Sequence, residues 1–98
     1  MGVSTSKALS LESDLESRIT KLPGPWTSIK IHIRHWPDRA FFGFNGRTIF
    51  MEFKRPGEEQ TCGQRMYSKS LAGAGFHVYV IDTFEQGRDV LYREFLRK

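Results

Sequence analysis

The chain has 98 residues and a formal net charge of +4 at pH 7, and 39% of its residues are hydrophobic while 27% are charged. This length predicts one domain, and this composition is typical of a globular protein and excludes a disordered chain. No apolar run approaches the ~20 residues that cross a bilayer, and no signal segment is visible, so we expect a cytoplasmic protein without a membrane partner. The single cysteine, Cys62, excludes an internal disulfide and a metal site made of cysteines.

The first predicted element is a helix that begins at Ser10, after a flexible arm of residues 1–9. The arm is predicted because its residues are mostly small and polar. The helix is predicted from four apolar residues at helical spacing, Leu11, Leu15, Ile19 and Leu22. It should end before Pro23-Gly24-Pro25, a sequence that stops helices. The domain itself is therefore assigned to residues 10–98.

Three strands are predicted to follow this helix. Residues 29–34 alternate between isoleucines and basic residues, which is typical of a half-buried strand. Residues 40–44 form the second strand, and Asn45-Gly46 is a strong signal for a two-residue hairpin turn. The third strand begins at Arg47 or Thr48 and ends at Lys54, so it pairs with the second strand in antiparallel fashion.

The remaining chain predicts a helix, a strand and a final helix. The first of these helices covers residues 60–74, and the strand covers residues 76–82, where an almost continuous apolar run favours burial on both faces. Residues 83–86 match a capping box that opens the last helix. The predicted fold class is thus α/β, a single small αβββαβα domain with a mixed four-stranded sheet flanked by helices. Its third and fourth strands are joined by a parallel crossover.

Two short strings, Pro37-Asp38 and Glu52-Phe53-Lys54, carry the candidate chemistry. Alternation along the third strand puts Glu52 and Lys54 on one face, where burial of their charges is unfavourable without partners. A two-residue turn would place Asp38 opposite Phe53, so a slip of one residue aligns it with Glu52. Two carboxylates there suit Mg²⁺, which prefers oxygen ligands and keeps several waters. The alternative interpretation is a structural charge pair between Glu52 and Lys54.

The excess positive charge surrounds these candidate carboxylates. Residues 21–55 contain seven basic and two acidic residues, whereas residues 1–20 carry a net charge of −1 and residues 56–98 are neutral. A basic field around an acidic centre suits a polyanion held near a divalent metal, and the alternative is a solvated surface of mixed sign. The candidate phosphate-binding side chains are Lys30, Arg34, Arg39, Arg55, Arg65 and Lys69.

The order of these motifs resembles that of the virus-type replication-repair nucleases, the VRR-NUC family of the PD-(D/E)XK nuclease superfamily. The segments that carry the resemblance are Trp36-Pro37-Asp38-Arg39, residues 49–57, Gln64-Arg65 and residues 75–82. The resemblance covers nearly the whole chain, from about Leu11 to the last helix. The αβββαβ core predicted from the residues is also the core of that superfamily, so the resemblance implies a restriction-endonuclease-like fold.

The resemblance also implies roles for individual residues. Asp38 and Glu52 match the metal-binding carboxylates, the carbonyl group of Phe53 matches a backbone ligand, and Lys54 matches the catalytic lysine. Gln64 matches a polar helix residue that braces the active site. The family has a further glutamate on its first helix, for which Glu12 is preferred here and Glu16 is the alternative. The family often has glycine where this chain has His35, which puts the local backbone and substrate access in question.

The implied activity is hydrolysis of DNA phosphodiester bonds with Mg²⁺, or Mn²⁺ as an alternative cofactor. The implied substrate is branched DNA such as a four-way (Holliday) junction, cut by a homodimer in replication, repair or recombination. The expected location is the cytoplasm of a bacterium or of a phage-infected host cell. The alternatives are a non-catalytic nucleic-acid-binding module on a nuclease-like fold and an interaction subunit of a larger replication machine.

Overall fold

The backbone of residues 3–96 and the side chains of residues 12–96 are described by a computed structural model. Three α-helices and four strands follow one another in the predicted order, αβββαβα. Their bounds are α1 Val3–Thr20, β1 Thr27–Lys30, β2 Arg39–Phe42, β3 Thr48–Phe53, α2 Cys62–Gly73, β4 His77–Ile81 and α3 Phe84–Leu91, followed by a π-helical segment Tyr92–Leu96. Within residues 3–96, no helix is both long and apolar enough to cross a bilayer.

The four strands form one open sheet in the order β1-β2-β3-β4. The β1–β2 and β2–β3 pairs are antiparallel, whereas β3 and β4 are parallel and connected through α2. This mixed sheet with flanking helices confirms the predicted α/β fold class. β3 lies inside the sheet, so both of its edges are paired and its side chains face two different layers.

The hydrophobic core lies on one face of β3, between the sheet and the helices α1 and α3. Alternate residues of β3 point into it and are almost fully buried: Ile49, Met51 and Phe53. Leu15 and Ile19 meet them from α1, and Val90 and Leu91 meet them from α3. The helices approach closely at Gly87, where an added Cβ atom would lie 2.5 Å from the Ile19 Cδ1 atom. The other face of β3 carries Thr48, Phe50 and Glu52.

Two predicted elements begin or end in the wrong place. The first helix begins at Val3 and not at Ser10, so the backbone of residues 3–9, predicted as an arm, is helical. No glycine or proline interrupts this segment, so the helix continues through it. β1 covers Thr27–Lys30 and not residues 29–34. Its pairing ends soon after Lys30, and Ile33 lies in the following turn with 57% of its surface exposed.

The predicted two-residue hairpin turn is also wrong. Asn45 and Gly46 both have the positive φ angles expected of this dipeptide, but they belong to a longer loop with a 3₁₀ turn at Phe44–Gly46. Gly43 donates a backbone hydrogen bond of 2.8 Å to Arg47, and the strands pair Phe42 with Thr48. This longer loop shifts the register by one residue from the prediction.

β4 is not buried on both faces as predicted. It is the edge strand of the sheet next to β3, and His77 and Val80 are exposed. Its apolar run is typical of an inner parallel strand, but among the described residues no further strand pairs with its free edge. The capping box predicted for α3 is only partly formed, since Thr83 accepts the Gln86 N–H group while the Gln86 side chain accepts the N–H group of Asp82.

Candidate active site

The face of β3 that points away from the hydrophobic core, together with the residue after the strand, carries two charged side chains. Both are almost completely buried. Glu52 is 1% exposed and Lys54 is 6% exposed, and the Lys54 Nζ atom lies 3.5 Å from the Glu52 Oε2 atom. They share a face because they are two positions apart in an extended strand. Desolvating two such charges requires both mutual pairing and further hydrogen bonds.

The helix α2 supplies those hydrogen bonds. The Lys54 Nζ atom donates to the Gln64 Oε1 atom at 2.9 Å, and the same oxygen accepts the Thr61 N–H group at 2.8 Å. Thr61 in turn accepts the Gln64 N–H group, which completes a capping box at the start of α2. The helix cap therefore fixes the orientation of Gln64, and Gln64 fixes the ammonium group of Lys54.

A second glutamine, which the sequence analysis missed, holds Glu52. The Gln60 Nε2 atom donates to the Glu52 Oε1 atom at 3.3 Å and to the Ser68 Oγ atom at 2.8 Å. Gln60, Gln64 and Ser68 recur every four residues, which is helical spacing. This polar stripe next to the E-x-K string was a signal from which both extra residues could have been found.

Asp38 enters the site from the neighbouring strand. β2 and β3 pair Arg39 with Met51, so the next position along the ladder brings Asp38 opposite Glu52. The Asp38 Oδ2 atom accepts the Phe53 N–H group at 2.7 Å, and its backbone oxygen accepts the Ile31 N–H group at 2.8 Å. Because the N–H and C=O groups of one strand residue point to the same side, the Phe53 carbonyl group leaves β3 toward Asp38.

Burial raises the pKa of both carboxyl groups above their ordinary values. For Glu52, desolvation is opposed by the hydrogen bond from Gln60 and the charge of Lys54, while the negative charge of Asp38 raises its pKa further. For Asp38, desolvation is opposed by the hydrogen bond from Phe53 and the charge of Lys30. Each ionised carboxylate is therefore short of positive charge, and a cation between them would favour the ionised forms.

One carboxylate oxygen beside Asp38 lacks a hydrogen bond. Glu52 Oε2 is the only buried side-chain nitrogen or oxygen atom among residues 12–96 that forms no hydrogen bond, and its ion-pair partner is the Lys54 ammonium group at 3.5 Å. A buried carboxylate oxygen without a hydrogen bond is unfavourable and can accept a further ligand from outside the chain. Oxygen atoms of Glu52, Asp38 and the Phe53 carbonyl group form a hard donor set, which fits a cation such as Mg²⁺. Among the described side chains, no three acids, histidines or cysteines are grouped closely enough to hold a metal by themselves.

The first helix brings both Glu12 and Glu16 near the site. Burial and the neighbouring Glu58 carboxylate raise the pKa of Glu12 to about 7, while Lys54 lowers it slightly and Asp38 raises it slightly. Glu16 is held by two ion pairs, at 2.8 Å to Lys30 and at 2.7 Å to Arg39, and its negative charge contributes to the raised pKa of Asp38. The two acids thus differ in that the carboxylate of Glu16 is already paired with basic side chains.

The six candidate phosphate-binding residues differ in what they contact. Lys30 and Arg39 both pair with Glu16, so they join α1 to the first two strands. The Arg55 Nε atom lies within 4.0 Å of two glutamate carboxylates beside the site. Three others are exposed and form no ion pair with another described residue: Arg34, Arg65 and Lys69.

His35, where the resembling family often has glycine, adopts the backbone conformation that favours glycine. Its φ angle is +71°, in the left-handed region that most side chains avoid. Its ring lies almost parallel to that of Tyr67, with 6.5 Å between the centroids. The ring also lies against Gly63, where an added Cβ atom would come within 2.6 Å of the His35 Nδ1 atom. His35 thus combines a left-handed backbone with a ring that packs against Tyr67 and Gly63.

A groove of the described chain lies elsewhere. It has a volume of about 840 Å³ and is lined by the loop between β2 and β3, by Phe76 and by residues of the C-terminal segment. Thr48, which lines it, begins β3, whereas Glu52 lies near the end of that strand. The cluster of Asp38, Glu52 and Lys54, called the acidic cluster from here on, is thus separate from this groove.

Comparison of the chain with protein-family models and with curated proteins gave no match. The resemblance to the VRR-NUC family therefore depends on the quoted residues, and the function is argued from the arrangement of the side chains.

Proposed function

We propose that the protein is a metal-dependent DNA endonuclease of the PD-(D/E)XK type. The observation that carries this proposal is the buried pair of Glu52 and Lys54 beside Asp38, with one Glu52 oxygen left without a hydrogen bond. A buried charge cluster with an unsatisfied acceptor is unfavourable for folding, and such clusters are typical of functional sites. The order of the residues along the chain agrees with the motif order of that superfamily.

In this proposal Asp38, Glu52 and the Phe53 carbonyl group hold Mg²⁺ or Mn²⁺. The bound metal would supply positive charge against the scissile phosphate. Lys54, held by Gln64, orients the attacking water or removes its proton and offsets charge that develops on the phosphate. The superfamily resemblance implies products with a 5′-phosphate and a 3′-hydroxyl.

The basic side chains around the acids support DNA as the substrate. Arg34, Arg65 and Lys69 are exposed and form no ion pair with another described residue, so they can bind phosphates without breaking an ion pair. One chain has one such site, so cutting both strands of a four-way junction would require two copies. A homodimer acting on branched DNA therefore remains part of the proposal.

The test is cleavage of labelled four-way, flap and duplex DNA with and without Mg²⁺. Wild type should cut only with the metal, and Lys54→Ala or Asp38→Asn should reduce cutting by about 10²-fold or more. Glu16→Gln serves as a matched control, because it removes a first-helix carboxylate that is already paired with Lys30 and Arg39. Absence of metal-dependent cutting of all three substrates by folded wild type would refute the proposal.

A non-catalytic nucleic-acid-binding module is the second candidate. It is favoured by the fact that Lys54 already has partners inside the protein, Glu52 and Gln64, as expected of a structural charge pair. Such a module would bind DNA in a salt-dependent way, and Asp38→Asn would leave that binding unchanged. The same two variants thus separate the two candidates.

A further inference from the structure

A cluster of aromatic rings lies beside the acidic cluster, on the same face of β3. Phe50, two residues before Glu52 on that strand, contacts Phe76 edge-on, with 5.6 Å between centroids. Trp36 links Phe50 to Tyr67 of α2, with centroid distances of 6.3 and 5.8 Å. The His35 ring then stacks on Tyr67. The rings form a continuous path from the middle of β3 to the surface of α2.

The outer part of this path is open to solvent. Tyr67 is 40% exposed, Phe76 is 38% exposed, and His35 is also exposed. Adjacent Met66 on α2 is 67% exposed. Rings that served only the core would be covered, as Phe50 is at 8% exposure. The exposed rings are therefore available to a flat, apolar ligand group.

The two segments that present these rings are basic. Residues 31–37 contain Arg34 and no acid, and α2 contains Arg65 and Lys69 and no acid. Cations interleaved with exposed rings match a ligand that alternates phosphates with flat bases, which is single-stranded nucleic acid. A continuous duplex hides its base faces in the stack, so these rings have no comparable use for it.

The residues that carry these rings are close neighbours, along the chain, of the proposed catalytic residues. Tyr67 lies one helical turn after Gln64, which binds Lys54, and it precedes Ser68, which binds Gln60. Trp36 lies two residues before Asp38. A base bound on the rings would thus belong to a nucleotide close to the phosphate at the acidic cluster.

We propose that His35 and Tyr67 form a stacking site for an unpaired base of the DNA substrate, with Arg34 and Lys69 binding the adjoining phosphates. This inference deepens the proposed nuclease function and rests on it for the meaning of the site. It assigns the substrate class as DNA with unpaired nucleotides next to the cut, such as a flap or the splayed arms of a branch point. The positive φ angle at His35 and the close approach of Gly63 fix the ring in place.

The test measures binding in EDTA, so that no cleavage occurs, by fluorescence anisotropy of a labelled oligothymidylate and of a blunt duplex. Tyr67→Leu should weaken binding of the single strand by about 5- to 100-fold, the range expected for one lost base stack, and should change duplex binding less than about twofold. Tyr67→Phe, which keeps the ring, should bind the single strand as wild type does. Lys69→Gln should weaken both DNAs alike, because it removes only a phosphate contact.

Equal single-strand affinities of Tyr67→Leu and wild type, or equal losses on single strand and duplex, would overturn the stacking site. Circular dichroism should show that Tyr67→Leu is folded, as expected for a residue that is 40% exposed. His35→Ala provides a second variant with the same expected pattern. If the stacking effect is found but metal-dependent cleavage is not, the nuclease proposal fails and the stacking site stands. If cleavage is found without the stacking effect, the stacking site fails and the nuclease proposal stands.

Discussion

Replacing Lys54 with methionine should destabilise the protein, and replacing Glu52 with glutamine in the same chain should restore most of the loss. The two side chains are 7% and 1% exposed, so neither charge is screened effectively by water. Methionine keeps most of the length of the lysine side chain and removes its charge. The single variant therefore leaves the Glu52 carboxylate buried beside Asp38 with Gln60 as its remaining polar partner.

The size of the effect follows from the distance between the charges. At 3.5 Å, and with an effective dielectric constant of about 20, their attraction is about 5 kcal/mol. Removing one member of a buried pair typically lowers the free energy of unfolding by about 3–5 kcal/mol. For a domain of about this size that corresponds to a fall in Tm on the order of 15–30 °C. The double variant has no buried charge at either position, so its free energy of unfolding should lie within about 1 kcal/mol of wild type.

The assay is urea or thermal unfolding followed by circular dichroism, in EDTA, for wild type, both single variants and the double variant. The deficit of Lys54→Met should shrink as the pH falls, because burial already raises the pKa of Glu52 and loss of the ammonium group raises it further. The protonated carboxyl group is then the favoured form in the folded state. Additive effects of the two substitutions would refute the charge-pair argument. The folded double variant also shows whether cleavage requires the pair as a whole, since loss of activity in it cannot be caused by unfolding.

Three further predictions concern other parts of the molecule. Glu12→Gln should lower metal-dependent cleavage at least about tenfold, whereas Glu16→Gln should leave cleavage within about twofold and lower the free energy of unfolding by about 1 kcal/mol through its lost ion pairs. Gly87→Ala should destabilise the fold by about 1–3 kcal/mol in urea unfolding, because its Cβ atom would lie 2.5 Å from the Ile19 side chain. Burial acts to raise the pKa of Glu94, but hydrogen bonds donated by the Tyr79 hydroxyl group and by Arg47 lower it overall. Glu94→Gln should therefore lower the free energy of unfolding by about 1–2 kcal/mol at pH 7, and the difference should disappear as the pH falls through the lowered pKa, since the stabilisation requires the ionised carboxylate.

Each of these predictions has a matched control and a contrary outcome. Gly73→Ala introduces the same methyl group where no atom lies within 4 Å, so equal destabilisation at both glycines would contradict the packing argument. Glu59→Gln changes an exposed glutamate that lies outside the helices and strands and should have no effect on stability. A constant deficit of Glu94→Gln between neutral and acidic pH would show that its charge is irrelevant. Equal cleavage by both first-helix variants would remove Glu12 from the site.

The sequence predicted the order of the elements because each is specified by a strong local pattern. Four apolar residues at helical spacing gave α1, and the alternation of β3 correctly separated Glu52 and Lys54 from the core residues. The register was wrong by one residue, because Asn45-Gly46 fits both a two-residue turn and the longer loop closed by Gly43 and Arg47. The choice between the two depends on how the strands pack, which a local pattern does not contain.

The position of β4 was mispredicted for a related reason. An apolar run shows that a segment favours burial, but the number of neighbouring strands decides how much burial is available. In the candidate site, sequence reasoning identified the charged residues and Gln64 but missed Gln60 and Ser68. Their roles arise from hydrogen bonds across the space between α2 and β3, and only their spacing along the helix indicated them beforehand.

The alternation along β3 has a consequence for how this protein can change over generations. Residues that hold the molecule together and residues proposed to act on DNA occupy alternate places in one six-residue segment, Thr48–Phe53, and its continuation. Joint replacement of Glu52 and Lys54 by uncharged residues can abolish chemistry and leave the fold stable, so an inactive descendant can persist as a binding protein. Inserting or deleting one residue within the segment would exchange the two sets, so that charged side chains would face the hydrophobic core and apolar side chains would face the proposed site. This segment therefore tolerates substitutions far better than insertions or deletions.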